Sequence, residues 1–215
     1  SVTLMNLGYF NNGDLAVGTD NANIAFQSFP SSSSPHIFRL KPGTGAIIEG
    51  RKLILQGNLS LYTIQIDKND QLYLSGSTIL PTNGNLFLHN GTSMIDTLAL
   101  PVNNRQQGAL LKMAWNGLHW VKNFSGNVLI KQSGDLSLLN DKPVMGVMTS
   151  PSTQPLLWDG QAIHNGLLNQ SFCLVSMNAD GTIAQKKILD NTTGIYMRTG
   201  GKHLILGSVI RSAME

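Results

Sequence analysis

The stretch Leu156-Leu157-Trp158-Asp159-Gly160-Gln161-Ala162-Ile163 shows the pattern that decides the fold. A few apolar residues lead into an Asp-Gly pair, and a few apolar residues follow it. Asp-Gly and Asn-Gly pairs accept positive φ at low cost, so they close tight β-hairpins whose twist matches the strands that they join. The same pattern returns at Leu7 to Val17 (Asn12-Gly13), Leu86 to Ile95 (Asn90-Gly91), Leu110 to Val121 (Asn116-Gly117), Val128 to Leu139 (Ser133-Gly134) and Phe172 to Ile183 (Asp180-Gly181). The sequence therefore predicts an all-β protein made of consecutive hairpins.

The hairpins come in pairs that recur along the chain. Pairs begin near His36, Gly84, Gly126 and Gln170. This period of roughly forty to fifty residues is typical of four-stranded propeller blades. Within the first pair, Tyr62 to Ile66 and Leu72 to Gly76 flank a polar loop that ends in Asp70-Gln71 rather than Asp-Gly. The predicted fold is a five-bladed β-propeller with four antiparallel strands in each blade, and the alternative is a β-sandwich or another array of hairpin repeats.

Two segments resemble a repeat of bacterial β-propeller proteins. Phe172 to Ile183, followed by Gly194 to Ser208, has an apolar strand, an Asp-Gly turn and a later strand that ends in Gly-Ser. His36 to Gly76 is similar, with its turn at Thr44 to Ile47. The resemblance implies a propeller, and five blades at this length are similar to the architecture of tachylectin-like lectins. It does not imply an activity, because propellers serve as lectins, hydrolases and scaffolds.

Composition narrows the class of protein. At 215 residues, 41% of them hydrophobic, the chain fits one domain over residues 1–215, either complete or excised from a longer protein. Only 13% of the residues are charged, against roughly 25% in an average globular protein. Such low charge is more typical of secreted, periplasmic or cell-surface β proteins than of cytosolic enzymes, and we expect that location.

Charge and hydropathy patterns also exclude some partners. The net charge is +3, but the 15 Lys and Arg residues are scattered, and the tightest groups are Arg51-Lys52 and Lys186-Lys187. Proteins that bind nucleic acid concentrate such residues on one element, so nucleic-acid binding is not expected. No run of about eighteen apolar residues occurs, so membrane insertion is not expected either.

Motifs for metals, cofactors and nucleophiles are absent from the sequence. The five histidines are His36, His89, His119, His164 and His203, and none has metal-ligand spacing relative to another. The lone Cys173 lies in a strand-like run and is interpreted as a small buried apolar residue. No Gly-x-Ser-x-Gly elbow and no phosphate-binding loop occurs. We therefore expect neither a metal nor a cofactor.

Two turns place indole rings beside polar side chains. These candidate ligand contacts are Trp115, Asn116, His119 and Trp120 at one turn, and Trp158, Asp159 and Gln161 at the other. An aromatic face packs on the apolar face of a sugar ring while neighbouring polar groups bind its hydroxyls. The pattern predicts a non-catalytic recognition module that binds glycans. The competing interpretation of each Trp is packing inside the protein.

Two further functions remain open at this point. A structural or protein-docking module would suit a partner-covered surface of low charge. A glycosidase would need two or three carboxylates roughly 5–10 Å apart. The chain has 12 acidic residues, and most of the Asp residues fall in turns, where Asp usually binds its own backbone. Asp96 is the exception, with apolar neighbours on both sides.

Overall fold

The structure is a computed structural model of the 215-residue chain. It describes residues 3–20, 34–80, 83–100, 103–126, 135–149, 151, 153–165, 171–190, 193–200 and 203–209. In these residues every regular element is a β-strand, and the paired strands run antiparallel. The all-β prediction is confirmed.

The described residues contain the following strands, in chain order. They are β1 Thr3–Tyr9, β2 Leu15–Asp20, β3 His36–Leu40, β4 Ile47–Leu55, β5 Asn58–Ile66, β6 Leu72–Leu80, β7 Gly84–His89, β8 Met94–Leu100, β9 Asn103–Ala114, β10 Gly117–Gly126, β11 Asp135–Leu139, β12 Lys142–Thr149, β13 Leu156–Trp158, β14 Gln161–His164, β15 Ser171–Met177, β16 Ile183–Asp190, β17 Thr193–Gly200 and β18 His203–Val209. The chain divides into two compact units, Ser1–Val121 and Lys122–Glu215. One domain over residues 1–215 stays a prediction.

The first unit contains two sheets. One has the strand order β1-β2-β3-β4-β7-β8, and the other has the order β10-β9-β6-β5. Successive hairpins alternate between them, because β3–β4 and β7–β8 belong to the first sheet whereas β5–β6 and β9–β10 belong to the second.

Both sheets of the first unit bury leucines in one shared core. Core residues lie opposite one another across the strands, as in the pairs Leu53↔Leu88 and Leu74↔Leu111. Ile37, Leu61, Leu72 and Met113 join the same cluster with at most 2% exposure. Two sheets that pack on one shared apolar layer have the arrangement of a β-sandwich. The β-sandwich is the alternative that the sequence predicts.

The second unit is built from shorter sheets. A four-stranded sheet has the order β11-β12-β15-β16, β17 pairs with β18, and β13 pairs with β14. The last residues of β10 belong to this unit and pair with β13, as in Phe124↔Trp158. Gly146 in β12 faces the Phe172 ring, where an added Cβ would lie 2.2 Å from Cζ, so only glycine fits.

The structure supports the all-β part of the fold prediction and not the propeller part. A propeller blade is a separate four-stranded sheet, yet β1 to β4 continue through β7 and β8 in a single six-stranded sheet. Three of the four predicted hairpin pairs begin close to their predicted starts, since β3, β7 and β15 begin within one residue of His36, Gly84 and Gln170. The start near Gly126 is not confirmed, because Gly126 ends β10 and β11 begins at Asp135. The turns determine which two strands pair within a hairpin, but they do not determine which hairpins lie next to each other in a sheet.

Most predicted turns are confirmed. The Asn12-Gly13, Asn90-Gly91, Asp159-Gly160 and Asp180-Gly181 pairs each join two paired strands, and each Gly has positive φ. The Ser133-Gly134 turn lies outside the described residues. The Asn116-Gly117 prediction is wrong by one residue, because the turn is Trp115-Asn116 and Gly117 begins β10 without positive φ.

Three hairpin loops share one geometry. In Phe10–Asp14, Asp67–Gln71 and Asn178–Thr182, the first backbone N–H donates to the last carbonyl at 2.9–3.0 Å. The fourth residue is in the left-handed region in all three, and at Asp70 (φ 57) an aspartate takes the place that Gly13 and Gly181 occupy. The absence of Asp-Gly before Leu72 therefore does not break the pattern, because Asp tolerates this conformation better than most residues.

We expect Gly13→Ala to lower the free energy of unfolding by about 1–2 kcal/mol, because Gly13 has φ +88 and a side chain is strained there. Gly117→Ala is the matched control in the same unit, since Gly117 lacks positive φ and its nearest neighbour would be 3.6 Å away. Denaturant unfolding of both variants gives the comparison. Equal losses in the two variants would contradict the assignment of the strain to Gly13.

Cys173 is fully buried in β15, as predicted, and burial raises the pKa of its thiol from an ordinary 9.0 to about 11. The thiolate is the reactive form, so its fraction at neutral pH falls about a hundredfold. We expect a disulfide reagent to label Cys173 only after denaturation. Ser93→Cys in a Cys173→Ser background is the control, because the β7–β8 loop exposes residue 93 and should be labelled at once.

Candidate functional site

Trp115 packs inward rather than offering a free ring face. It contacts the core of the first unit, and its ring meets the Phe10 ring edge-on, with centroids 5.5 Å apart. The Arg51 guanidinium lies 4.7 Å from the centroid of the Trp115 ring in a cation–π contact. Trp115 therefore packs inside the first unit, and its indole supports the β9–β10 turn.

Arg51 also fixes the other turn residue, Asn116. It donates to the Trp115 carbonyl at 2.8 Å and to Asn116 Oδ1 at 2.5 Å. The Arg51 guanidinium also lies 3.2 Å from one carboxylate oxygen of Glu49, and the other Glu49 oxygen lies 3.4 Å from the Arg39 guanidinium. Asn116 is exposed, but its amide oxygen already accepts a hydrogen bond from Arg51, which is paired with Glu49.

Asp96 anchors the start of β10 from the opposite sheet. Its Oδ2 accepts the Leu118 backbone N–H at 2.7 Å, and its Oδ1 accepts that of Thr97 at 2.8 Å. These two hydrogen bonds, Leu118 first, hold the pKa of Asp96 below its ordinary 3.8. The carboxylate therefore stays charged and bound to backbone near neutral pH, which suits an anchor and not a proton donor.

Beyond this anchor, β10 departs from regular alternation. Leu118 and Val121 both pack against the core, although residues three apart point to opposite faces of a regular strand. His119 instead contacts Gln71, and Trp120 contacts Tyr73 edge-on at 6.3 Å. Two consecutive side chains thus share the outer face, as a β-bulge arranges, and bulges often occur beside binding sites.

Gln71, Tyr73, His119 and Trp120 form a surface group that we call the His119 patch. His119 Nε2 lies 2.7 Å from Gln71 Oε1, and because that oxygen only accepts, Nε2 carries the proton. In the tautomer that donates from Nε2, Nδ1 is an acceptor. The Gln71 amide nitrogen lies 3.4 Å from the Asn69 carbonyl and has a second N–H for another acceptor.

An aromatic surface adjoins these polar groups. His119 is exposed and Trp120 is half-buried, whereas Tyr73 beneath them is only 1% exposed. The Lys112 ammonium lies 5.5 Å from the Tyr73 ring centroid. The patch thus combines a partly open indole with a hydrogen-bond donor and an acceptor held in fixed positions.

In the second unit the predicted residues have separate roles. Trp158 is 4% exposed, packs on Phe124 with centroids 4.3 Å apart, and donates its indole N–H to the Gly181 carbonyl at 3.1 Å. Trp158 therefore packs inside the second unit, and its stacking on a ligand stays a prediction. Asp159 pairs with Lys122 at 2.6 Å, and Gln161 is exposed on the strand that follows.

Sequence reasoning missed Gln71, Tyr73 and Arg51. Gln71 stands in the place after the left-handed Asp70, and Tyr73 alternates with core leucines in β6, so each looked like an ordinary hairpin residue. The sequence shows Arg51 only as one member of the basic pair Arg51-Lys52. Their contacts with His119, Trp120 and Trp115 join residues far apart in sequence, and no local signal encodes them.

The described residues offer little for metal binding or acid–base catalysis. No group of three potential metal ligands occurs among them. The pKa values of Asp14, Asp96 and Asp180 are all lowered, chiefly by hydrogen bonds to the carboxylates, whereas a glycosidase acid needs a raised pKa. Within the same part of the chain, no helix is long and apolar enough to cross a membrane.

Asp96→Asn keeps the shape of the anchor and removes its charge. We expect a loss of about 1–2 kcal/mol in the free energy of unfolding at neutral pH, since the two backbone donors lose a charged acceptor. The natural carboxylate has a lowered pKa, so its contribution is complete above its ordinary 3.8 and is lost as the pH falls below that value. Between about pH 5 and pH 2 the natural chain should therefore lose more stability than the variant. Parallel pH profiles in denaturant titrations would contradict the anchor.

Known proteins provide no guide to the role of these residues. No protein-family model, no curated protein and no solved structure matches this chain. The functional assignment rests on the side-chain geometry alone.

Proposed function

We propose that this chain is a non-catalytic recognition module that binds glycans through the His119 patch. The observation that carries the proposal is a pair of contacts made by consecutive residues of β10, His119 with Gln71 and Trp120 with Tyr73. Three of the four groups are at least partly exposed. The low charged fraction of 13% supports a place in a secreted or cell-envelope protein.

A sugar ring can use each part of the patch. The indole of Trp120 offers an apolar surface to the C–H face of a pyranose, and His119 Nδ1 and the Gln71 amide bind hydroxyls as acceptor and donor. Because His119 and Gln71 already bind each other at 2.7 Å, little side-chain entropy is lost on binding. Such binding requires only β6, β9 and β10 and does not depend on a five-bladed propeller.

The other predicted contacts support the patch indirectly. Trp115 and Asn116 hold the β9–β10 turn through Arg51, and Asp96 fixes the residue before His119. They are positioning residues for β10. Asp159 and Gln161 belong to the second unit, where the neighbouring Trp158 is buried against Phe124, and they are not part of the proposed site.

Docking of a protein partner is the second candidate function. Leu7 and Tyr9 are 54% and 66% exposed, and both lie on β1 at the edge of its sheet. Large exposed apolar residues on an edge strand are uncommon, and they occur where another chain binds. This surface shares no residue with the His119 patch, so the two functions can be tested separately.

Binding of the purified chain to an array of immobilised glycans tests the proposal. We expect His119→Ala and Gln71→Ala each to weaken binding of the retained glycans roughly fivefold, because each removes a hydrogen bond of about 1 kcal/mol. His89→Ala is the matched control, since His89 is a half-buried strand histidine beside Phe87, outside the patch. Circular dichroism checks that every variant keeps its fold.

The outcomes separate the two candidate functions. Loss in both patch variants with an unchanged His89 variant supports glycan recognition at the patch. A folded natural chain that retains no glycan overturns the proposal and favours the β1 surface. Binding that survives both patch variants overturns the location of the site.

A further inference from the structure

A cleft of about 440 Å³ lies in the first unit, apart from every residue of the His119 patch. It is formed where the chain enters β3, where β4 ends and β5 begins, and where β6 ends. Its volume falls within the roughly 300–1,000 Å³ that is usual for ligand pockets. No side chain discussed for the proposed function contributes to it.

The lining of the cleft combines apolar and neutral polar groups. Leu53 and Leu55 border the cleft but belong to the core, and with 0% and 9% exposure they leave the polar groups as its main accessible surface. Asn58, Ser60 and Ser77 add an amide and two hydroxyls, and none of the lining residues is charged. A charged ligand would lose hydration here without an opposite charge to replace it, so the lining selects a neutral molecule.

The backbone around the cleft is tightly fixed. Asn58 pairs with Ile79 and Ser60 with Ser77 across the β5–β6 hairpin. At Gly57 a Cβ would lie 2.1 Å from the Ile79 carbonyl oxygen, so the close approach of the two strands requires glycine. The Tyr62 hydroxyl lies 2.9 Å from Ser77 Oγ and orients that side chain. The cleft is therefore preformed, which lowers the entropic cost of binding.

We infer that this cleft binds a neutral, polyhydroxylated small molecule the size of one or two sugar rings. Such a molecule has hydroxyls for the polar groups of Asn58 and Ser60, and it needs no opposite charge in the lining. The inference goes beyond the proposed function, because the cleft takes a small soluble ligand at residues that the His119 patch does not use.

A panel of methyl glycosides, those of glucose, galactose, mannose and N-acetylglucosamine, serves as the probe. Titration into the isotope-labelled chain, followed by backbone amide shifts, reports binding and location together. We expect at least one neutral glycoside to shift the amides of Asn58, Ser60 and Ser77. Glucuronic acid and glucosamine, which carry opposite charges, should bind at least tenfold more weakly than the best neutral probe.

Asn58→Trp tests the location by filling the cleft mouth from an exposed position. It should weaken binding of the neutral probe at least tenfold. Ser93→Trp, also exposed but in the β7–β8 loop, should leave it unchanged. Ser60→Ala provides a smaller change that keeps the strand, and a several-fold loss is expected from one missing hydroxyl.

The results distinguish this inference from the proposed function. His119→Ala should leave glycoside binding in the cleft unchanged, and Asn58→Trp should leave unchanged the binding of those array glycans that His119→Ala weakens. Absence of amide shifts at Asn58, Ser60 and Ser77 with every neutral probe overturns the inference. Equal binding of charged and neutral probes, or full binding by Asn58→Trp, overturns it as well.

Discussion

Burial of leucines from alternating hairpins in one shared core is the constraint on which the first unit depends. Leu53 and Leu88 come from one sheet, and Leu74 and Leu111 from the other, and each is almost inaccessible to water. Each fully buried leucine contributes roughly 2 kcal/mol relative to exposure. No single hairpin can bury its apolar face alone, so successive hairpins must be distributed over two sheets.

The same constraint produces the candidate site. The core takes up both Leu118 and Val121, and a regular strand cannot direct two residues three apart toward one face. The strand therefore deviates between them, and His119 and Trp120 emerge together on the outer face. Asp96 and Arg51 fix the beginning of β10 through hydrogen bonds to the Leu118 N–H and to the Trp115 carbonyl. The binding surface is thus a consequence of how β10 satisfies the core.

The three tryptophans show how similar local sequences reach different environments. Trp115 precedes Asn-Gly and Trp158 precedes Asp-Gly, yet Arg51 covers the first and Phe124 the second. Trp120, which precedes no turn pair, is the indole on the outer face of the sheet. The position of an aromatic residue beside a turn therefore does not show whether its ring is exposed. The side chains that pack on the ring decide whether it is available to a ligand.

The sequence by itself determined the hairpins. Positive φ is a local property, so Gly13, Gly91, Gly160 and Gly181 indicated turns that the structure contains, and three of the four hairpin pairs begin close to where the repeat predicts. Tertiary structure alone decided that β4 pairs with β7, that β10 is irregular and that Gln71 meets His119. Those contacts join residues tens of positions apart, and their free energy comes from burial in a common core. Turn chemistry acts over four or five residues, and it therefore carries no information about which hairpins share a sheet or which side chains meet on its surface.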